Sequence, residues 1–286
     1  MSNFDREYRF AAGQAGVKKA GFEIGMTTAN RPIPLHISFY INKEDSETPN
    51  IGRISLWNLN DEHLEILHSK NCVVTLRAGY GTNIPLIFVG AVTYIETALD
   101  SADRATHIEA ADGRIELRDT HLSLSYSGKI NARNVLDDIA KAMGVAVSYS
   151  HNAKFSDFNN GYSVIGKARS ALDKACTTSG LQWSIHNGIL QVKNKGDSMT
   201  REVFVLSADS GLIGIPAKMA YSASDSNYGE ESGYVVEYLL NGAIGIGDFI
   251  RLESKYVKGY FRVRSVEISG DNLEGDWICT AKLVEA

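Results

Sequence analysis

Apolar and polar residues alternate with a period of two along much of this chain, a pattern that predicts β-strands. In residues 1–127 the alternation places Leu35, Ile37, Phe39 and Ile41 on one face of a strand. Further strands are predicted in this region at Arg53–Asn58, Cys72–Tyr80, Pro85–Thr97 and Thr106–Ala111. Near the end of the chain, strands are predicted at Val203–Leu206, Gly233–Leu240, Asp248–Glu253, Tyr260–Ile268 and Trp277–Val284.

One short helix interrupts the first β region. Asn60 is a typical helix N-cap, and Asp61 and Glu62 suit the positive end of a helix dipole. Leu64 and Leu67 then fall on the inward face. We therefore predict a helix that begins directly after Asn60.

The middle of the chain contains an internal repeat. The motif Ala-Arg-x-x-Leu-Asp followed by a glycine occurs at Ala132–Gly144 and recurs 36 residues later at Ala168–Gly180. Each copy has apolar residues at helical spacing and a glycine that can end the helix in a left-handed conformation. Strands are predicted after both helices, at Val145–Tyr149 and Leu181–Ile185, and an Asn-Gly turn follows the second.

Two pairs of charged residues in this repeat have i, i+4 spacing. They are Arg133 with Asp137 and Arg169 with Asp173. Exposed helical pairs of this kind contribute at most ~0.5 kcal/mol each. We interpret them as solvated helix faces rather than as catalytic groups.

These patterns predict an α+β, mainly β fold with three domains. The first β domain covers residues 1–127, a small α/β insert covers 128–195, and a second β domain covers 196–286. Ser222–Gly233 is rich in Ser, Asn, Gly and Glu, which predicts a long loop. We take this loop as the candidate interface with a neighbouring chain. The candidate contact residues are Ser222, Asp225, Asn227, Tyr228, Glu230 and Glu231.

Composition narrows the classes of function. The 286 residues are 44% hydrophobic and 22% charged, as in ordinary soluble proteins. No apolar run reaches the ~20 residues of a membrane helix, and Met1–Asp5 does not begin a typical signal peptide, so we expect cytoplasmic folding without membrane insertion. The net charge is −5 and we recognise no cluster of basic and aromatic residues, so specific nucleic-acid binding is not expected.

Candidate chemical groups point away from catalysis. Cys72, Cys176 and Cys279 are odd in number and lie in apolar segments, which predicts buried free thiols. Gly242–Asp248 lacks the order of a phosphate-binding loop and is interpreted as a turn between strands.

The histidines and the remaining acidic residues also give no indication of a catalytic or metal site. The histidines do not have metal-site spacing, and the carboxylate pairs Asp100/Asp103 and Glu230/Glu231 lie in turn-rich segments. We expect no catalytic residue, no metal site and no cofactor. Trp183 and Trp277 alternate with apolar neighbours, which predicts buried structural side chains.

Several short motifs occur in a fixed order along residues 33–284. They are Ile54–Leu59, Leu76–Tyr80, Ile87–Val92, the two Ala-Arg-x-x-Leu-Asp helices, Leu181–Leu190, Leu206–Gly214 and Gly259–Val263. In this order they resemble the baseplate hub proteins of contractile-tailed bacteriophages, which are related to the hubs of R-type pyocins and type VI secretion spikes. The chain departs from that pattern at Asn241–Gly245, where relatives often carry proline and arginine.

The resemblance implies a structural virion protein without enzymatic activity. It implies two tail-tube-like β-barrels flanking the small α/β domain, and a homotrimer that adapts a hexameric tail tube to a trimeric central spike and lines the DNA conduit. The implied partners are the tail tube protein, the spike protein and other baseplate proteins. The implied location is the tail baseplate of the virion, after assembly in the host cytoplasm.

Two alternatives of other classes remain open. The middle domain also resembles lysin-motif modules, which would make the chain a peptidoglycan-binding protein, testable by pull-down on cell-wall sacculi. A tail-associated peptidoglycan hydrolase is the enzymatic alternative, and a zymogram would detect it.

Overall fold

The computed structural model describes residues 5–14, 21–25, 34–45, 47–199, 202–221 and 231–285. The chain divides into two units, each with its own hydrophobic core. Unit 1 comprises residues 1–45, 50–111 and 201–286, and unit 2 comprises residues 46–49 and 112–200. Both β-rich ends of the sequence therefore contribute to unit 1.

The elements follow in chain order. Unit 1 begins with β1 (Arg6–Gln14), β2 (Gly21–Gly25), β3 (Ile37–Glu44), β4 (Ile51–Trp57), α1 (Asp61–Leu67), β5 (Cys72–Tyr80), β6 (Leu86–Asp100) and β7 (Asp103–Ala111). Unit 2 contains α2 (Arg114–Asp119), β8 (His121–Tyr126), β9 (Ile130–Asn131), α3 (Ala132–Met143), β10 (Ala146–Tyr149), β11 (Asp157–Phe158), β12 (Tyr162–Lys167), α4 (Ala168–Ser179), β13 (Leu181–His186) and β14 (Ile189–Asn194). Unit 1 is completed by β15 (Val203–Ser207), a 3₁₀ turn at Ala208–Ser210, β16 (Leu212–Tyr221), β17 (Glu231–Leu239), β18 (Phe249–Glu253), β19 (Lys258–Asp271) and β20 (Trp277–Glu285).

Most predicted elements are confirmed. The Asn60 side chain accepts a hydrogen bond from the His63 N–H at 2.8 Å, so α1 begins where the sequence predicts. Several elements were not predicted from the sequence: β1, β2, α2, β8, β9, β11, β12 and β16. Two of these strands do alternate with a period of two and were overlooked: β1 through Tyr8, Phe10 and Ala12, and β8 through Leu122 and Leu124.

The thirteen strands of unit 1 form one sheet. Its order is β16-β17-β20-β19-β3-β4-β7-β6-β5-β1-β2, with β18 paired to β19 and β15 paired to β18. The fold is therefore mainly β, as predicted. The described strands form no closed barrel, so the two-barrel arrangement is not confirmed.

The two halves of this sheet have the same strand order. The first half runs β3-β4-β7-β6-β5-β1 and the second runs β16-β17-β20-β19-β18-β15. In each half, one strand precedes a hairpin and then a three-stranded meander, and the first half has the additional strand β2, which pairs with β1. The halves differ at the end of the order, where β1 is antiparallel to β5 but β15 is parallel to β18.

One antiparallel pairing joins the two halves. Ser38–Glu44 of β3 pairs with Ser265–Asp271 of β19. At this junction Phe39 lies over Gly270, where a Cβ would come within 2.2 Å of the Phe39 ring. The ring also packs edge-on against Trp277, which is buried and donates its indole N–H to the Gly79 carbonyl. The junction is thus part of the core of unit 1.

The predicted repeat is present in unit 2. Helices α3 and α4 have equal length, and both end at a glycine with positive φ, Gly144 at 72° and Gly180 at 68°. Leu136 and Leu172 occupy equivalent positions and are both fully buried. The strands that follow the helices, β10 and β13, lie on the two sides of β14.

The acidic residues of the repeat contact aromatic side chains of the following strands. The Asp137 carboxylate accepts a hydrogen bond from the Tyr149 hydroxyl at 2.7 Å, and Asp173 accepts one from the Trp183 indole N–H at 2.8 Å. Burial and the bond to Asp137 raise the pKa of Tyr149. Asp137 is exposed, as expected for a solvated helix face, whereas Asp173 is half-buried. The sequence did not predict that each carboxylate also ties its helix to the following strand.

We predict that Leu136→Ala and Leu172→Ala each destabilise unit 2 by ~2–5 kcal/mol, because each removes a fully buried side chain from the same core. Denaturant unfolding followed by circular dichroism measures the loss. The exposed Asn134→Ala change on α3 is the control, with an expected effect of ~0.5 kcal/mol or less. A loss below ~1 kcal/mol at either leucine would contradict equivalent core positions.

Candidate interaction surfaces

The β6–β7 hairpin has an unpaired strand edge. Strand β6 pairs with β5 only over Leu86–Ala91, whereas its pairing with β7 continues to Asp100. In the described part of the chain, no strand pairs with the other edge of residues 93–100. We call this the distal edge of β6. Such an edge carries free backbone N–H and C=O groups that can pair with another chain.

Side-chain hydrogen bonds hold the tip of this hairpin in place. Asp100 accepts a hydrogen bond from the Trp57 indole N–H at 3.0 Å, and Asp103 accepts one from the Asn58 amide at 2.8 Å. Asn58 has a φ of 61° and accepts a bond from the Arg104 backbone N–H at 3.0 Å. The two carboxylates therefore fix the hairpin rather than form an acid–base pair, and the distal edge is preorganised.

The distal edge exposes apolar side chains. Tyr94 is 56% exposed and Leu99 is 83% exposed. Residues 93–100 include no lysine or proline, two residues that protect many edges, and their charged residues are Glu96 and Asp100. The feature that can accept a partner strand is therefore the open backbone edge, with Leu99 exposed beside it.

Strand β16 provides a second open edge. Among the strands that the structure describes, it is the terminal strand of the sheet path and pairs with β17 on one side only. Ile213 and Ile215 are exposed, and buried Pro216 lies where the β16–β17 register shifts between Ile213 and Ala217. Because proline has no N–H to donate, regular pairing of β16 is expected from Ala217 onwards.

The predicted interface loop lies mostly outside the described residues. This holds for Ser222, Asp225, Asn227, Tyr228 and Glu230. Glu231 is described as the first residue of β17, where it pairs with Tyr221. The predicted loop was therefore too long: Glu231–Gly233 belongs to a strand. A Cβ at Gly233 would lie 1.8 Å from the Leu283 carbonyl oxygen, so this glycine permits close strand pairing with β20.

A basic and aromatic hairpin tip, which was not predicted from the sequence, lies between β18 and β19. Lys255, Tyr256, Lys258 and Tyr260 lie where β18 turns into β19, and all four are exposed. The alternation of lysine and tyrosine in the sequence could have revealed it. Glu253 pairs with Lys258 across the hairpin and forms an ion pair with Arg251, which reduces the positive charge there.

Groups with strongly shifted pKa values are buried tyrosines and cysteines. Burial raises the pKa of the Cys176 thiol to about 12 and that of Cys279 to about 11. Cys72 is also buried with a raised pKa, and all three cysteines are free, as predicted. A raised thiol pKa lowers the thiolate fraction, so these are poor nucleophiles.

The turn at Gly242–Asp248 is also confirmed. The Asp248 carboxylate accepts a hydrogen bond from the Gly245 N–H at 2.8 Å, and Gly247 donates its N–H to the Val263 carbonyl. Among the described residues, no cluster of His, Cys, Asp and Glu could hold a metal ion. No helix in the same part of the chain is long and apolar enough to cross a membrane.

The fold is a large β-sheet with open strand edges to which other protein chains could bind. The model of the family described as baseplate hub gp41 matches residues 51–259. This match covers most of the chain, which therefore belongs to the baseplate hub gp41 family. The family is a structural component of the phage tail baseplate and is not known as enzymatic. Comparison with curated proteins gives no match.

Solved structures of tail proteins share the fold. The 43 kDa tail protein of prophage MuSo2 from Shewanella oneidensis aligns with a TM-score of 0.62 at 10% identity, covering 98% of each chain. A tail protein from Neisseria meningitidis MC58 gives a TM-score of 0.61 at 10% identity, covering 97% of this chain and 96% of that one. The E. coli c3393 protein, a type VI secretion component, gives 0.61 at 10% identity, with 88% and 74% covered.

We predict that Asn58→Ala destabilises the hairpin tip by ~1–3 kcal/mol, because it removes two hydrogen bonds and places alanine at a positive φ. Hydrogen exchange of residues 97–106 should become faster, with little change in β15–β18. As a control, Asp61→Ala removes the exposed ion pair with Arg104 and should cost under ~1 kcal/mol. Unchanged exchange in Asn58→Ala would contradict a tip held by this residue.

We also predict that the three thiols resist modification in the folded protein. Ellman's reagent at pH 8 should react with none of them at an appreciable rate, because burial blocks access and raises their pKa values. The same sample in denaturant should titrate all three. Rapid reaction of a native thiol would show that its site is open to solvent.

Proposed function

We propose that this chain is a trimeric baseplate hub that adapts a hexameric tail tube to a trimeric central spike and lines the DNA conduit. The observation that supports this proposal is the equal strand order of the two halves of unit 1. Each half is then one tail-tube-like module, corresponding to the two β domains expected from the sequence. Three chains supply six such modules.

A hexameric tube and a trimeric spike differ in symmetry, and two similar modules in one chain can match them. A sixfold tube end presents six equivalent binding surfaces, and a ring of three single modules would leave half of them unpaired. A chain with two similar modules solves this mismatch, because three copies form a pseudo-sixfold face. The sequences of the two modules differ, so the opposite face keeps true threefold symmetry for a trimeric spike. Ring closure requires heterologous contacts between neighbouring copies.

The proposed partners are the tail tube protein, the spike protein and other baseplate proteins. The E. coli c3393 protein is itself structurally similar to the bacteriophage T4 tail proteins gp27 and gp5, and further neighbours in fold come from Francisella PdpA–VgrG complexes. A net charge of −5 suits a conduit through which DNA passes, because mildly acidic surfaces hold phosphates weakly. Assembly would take place in the host cytoplasm.

Unit 2 serves in this proposal as a folded spacer. Trp183 is only 1% exposed and its indole N–H is bonded to Asp173, so it presents no ring face to a sugar. This geometry does not favour the peptidoglycan-binding alternative.

Cryo-electron microscopy of the intact particle tests the proposal. We expect three copies of this chain at the junction of tube and spike, with both halves of unit 1 facing the tube. Native mass spectrometry of the hub co-expressed with its tube and spike proteins should give the same copy number. Six copies in the ring, or absence from the junction, would contradict the proposal.

A further inference from the structure

The junction inside one chain provides a template for the contact between chains. Strand β19 has two partners on one edge: β18 along its first half and β3 along its second half. Strand β20 occupies the opposite edge. Residues Ser265–Gly270, which we call the distal half of β19, therefore lie between two strands.

Strand β6 is the counterpart of β19 in the first half of unit 1. It pairs with β5 along its first half and with β7 on the opposite edge, as β19 does with β18 and β20. Both strands are unusually long, and both shift register at the same place, between Val92 and Tyr94 in β6 and between Val263 and Ser265 in β19. The distal edge of β6 alone has no strand beside it in the described residues.

The strand that corresponds to β3 is β16. Residues paired across the sheet form the row Tyr94–Glu109–Arg53–Tyr40 in the first half. The matching row in the second half is Ser265–Lys282–Val235–Ala217. Tyr40 of β3 therefore corresponds to Ala217 of β16. Tyr40 pairs with Ser269 of β19, whereas the outer edge of β16 is open among the described strands.

From this correspondence we propose that β16 of one copy pairs antiparallel with the distal edge of β6 of the next copy, in the register that β3 has on β19. The inference rests on the proposed ring of three chains. Tyr40 pairs with Ser269, four residues after Ser265, and the counterpart of Ser269 is Ala98, four residues after Tyr94. The transferred register thus places Ala98 opposite Ala217 of the neighbouring copy.

The side chains at this contact are compatible with the register. Ala98 and Ala217 are both small and exposed, so the strands can approach without a clash. Leu99 would lie opposite Pro216. This pair corresponds to Gly270 of β19 opposite Phe39 of β3 inside the chain. The exposed Leu99 side chain would then face the apolar Pro216. The heterologous pairing of two different edges is the kind that closes a ring.

A disulfide cross-link tests the register directly. Directly opposed residues of antiparallel strands have Cα atoms ~4.5–5.5 Å apart, within the range that a disulfide spans. The double variant Ala98→Cys, Ala217→Cys, oxidised in the assembled particle, should give covalent dimers and trimers on denaturing gels that reductant abolishes. The native thiols are buried and should not contribute.

The matched control shifts the pairing by one residue. Ala98→Cys with Lys218→Cys places the two thiols on opposite faces of the proposed sheet, so cross-linking should fall at least several-fold. Each single-cysteine variant should give no covalent trimer. Equal cross-linking in the control pair would contradict the register.

A second pair of variants tests the surface without cysteines. Leu99→Glu should weaken trimer formation roughly tenfold or more, because it places a charge in the covered contact, while the thermal stability of the monomer stays unchanged. Ile165 in unit 2 is 82% exposed, close to the 83% of Leu99, and belongs to β12 rather than to either strand of the proposed pairing. Ile165→Glu should leave assembly unaffected.

These experiments distinguish failure of the strand pairing from failure of the trimeric hub. Three copies in the particle with the Ala98–Ala217 cross-link support both. Three copies without this cross-link, or with normal assembly of Leu99→Glu, overturn the strand pairing and leave the trimeric hub intact. A copy number other than three overturns the hub proposal and the pairing with it.

Discussion

The pairing of β3 with β19 is the interaction on which the rest of unit 1 depends. A β-strand has two hydrogen-bonding edges, and burying one without a partner costs free energy, so long strands need partners along their full length. The distal half of β19 obtains its partner from β3, a strand more than two hundred residues away in the sequence. This single contact makes one continuous sheet from two halves, and it places Phe39, Gly270 and Trp277 in a shared core.

The same constraint links the fold to assembly. Strands β6 and β19 both continue past the strand that pairs with their first half, and both bulge at the point where that pairing ends. A bulge increases local twist and directs the rest of the strand away from its first partner. In β19 the redirected half meets β3, whereas in β6 it has no partner among the described strands and its tip is held by hydrogen bonds from Trp57 and Asn58 to Asp100 and Asp103. An edge held ready in this way loses little conformational entropy when a partner pairs with it.

Unit 2 is stabilised by local means. Each of its two long helices ends at a glycine with positive φ and is tied to the following strand by a carboxylate that accepts a hydrogen bond from an aromatic side chain. Among the described residues, the buried cluster that forms its core runs from Leu117 to Val192 and lies within its own segment. Unit 2 therefore does not depend on an unpaired edge of the large sheet for its own packing, which suits a spacer in a larger assembly.

The sequence by itself determined the elements whose stabilising contacts lie close along the chain. The Asn60 cap, the helix-ending Gly144 and Gly180, the buried stripe through Leu136 and Leu172, and the alternating strands β3 and β5 all follow from contacts within a few residues. Only the tertiary structure decided which strands are neighbours. Periodicity marks which face of a strand is buried but carries no information on its partner, so the order of the sheet, the β3–β19 junction, the bonds of Asp100 and Asp103, and the extension of β17 to Glu231 could not be predicted. Backbone hydrogen bonds between strands are the same for any pair of sequences, and the choice of partner depends on how the whole sheet packs on its core.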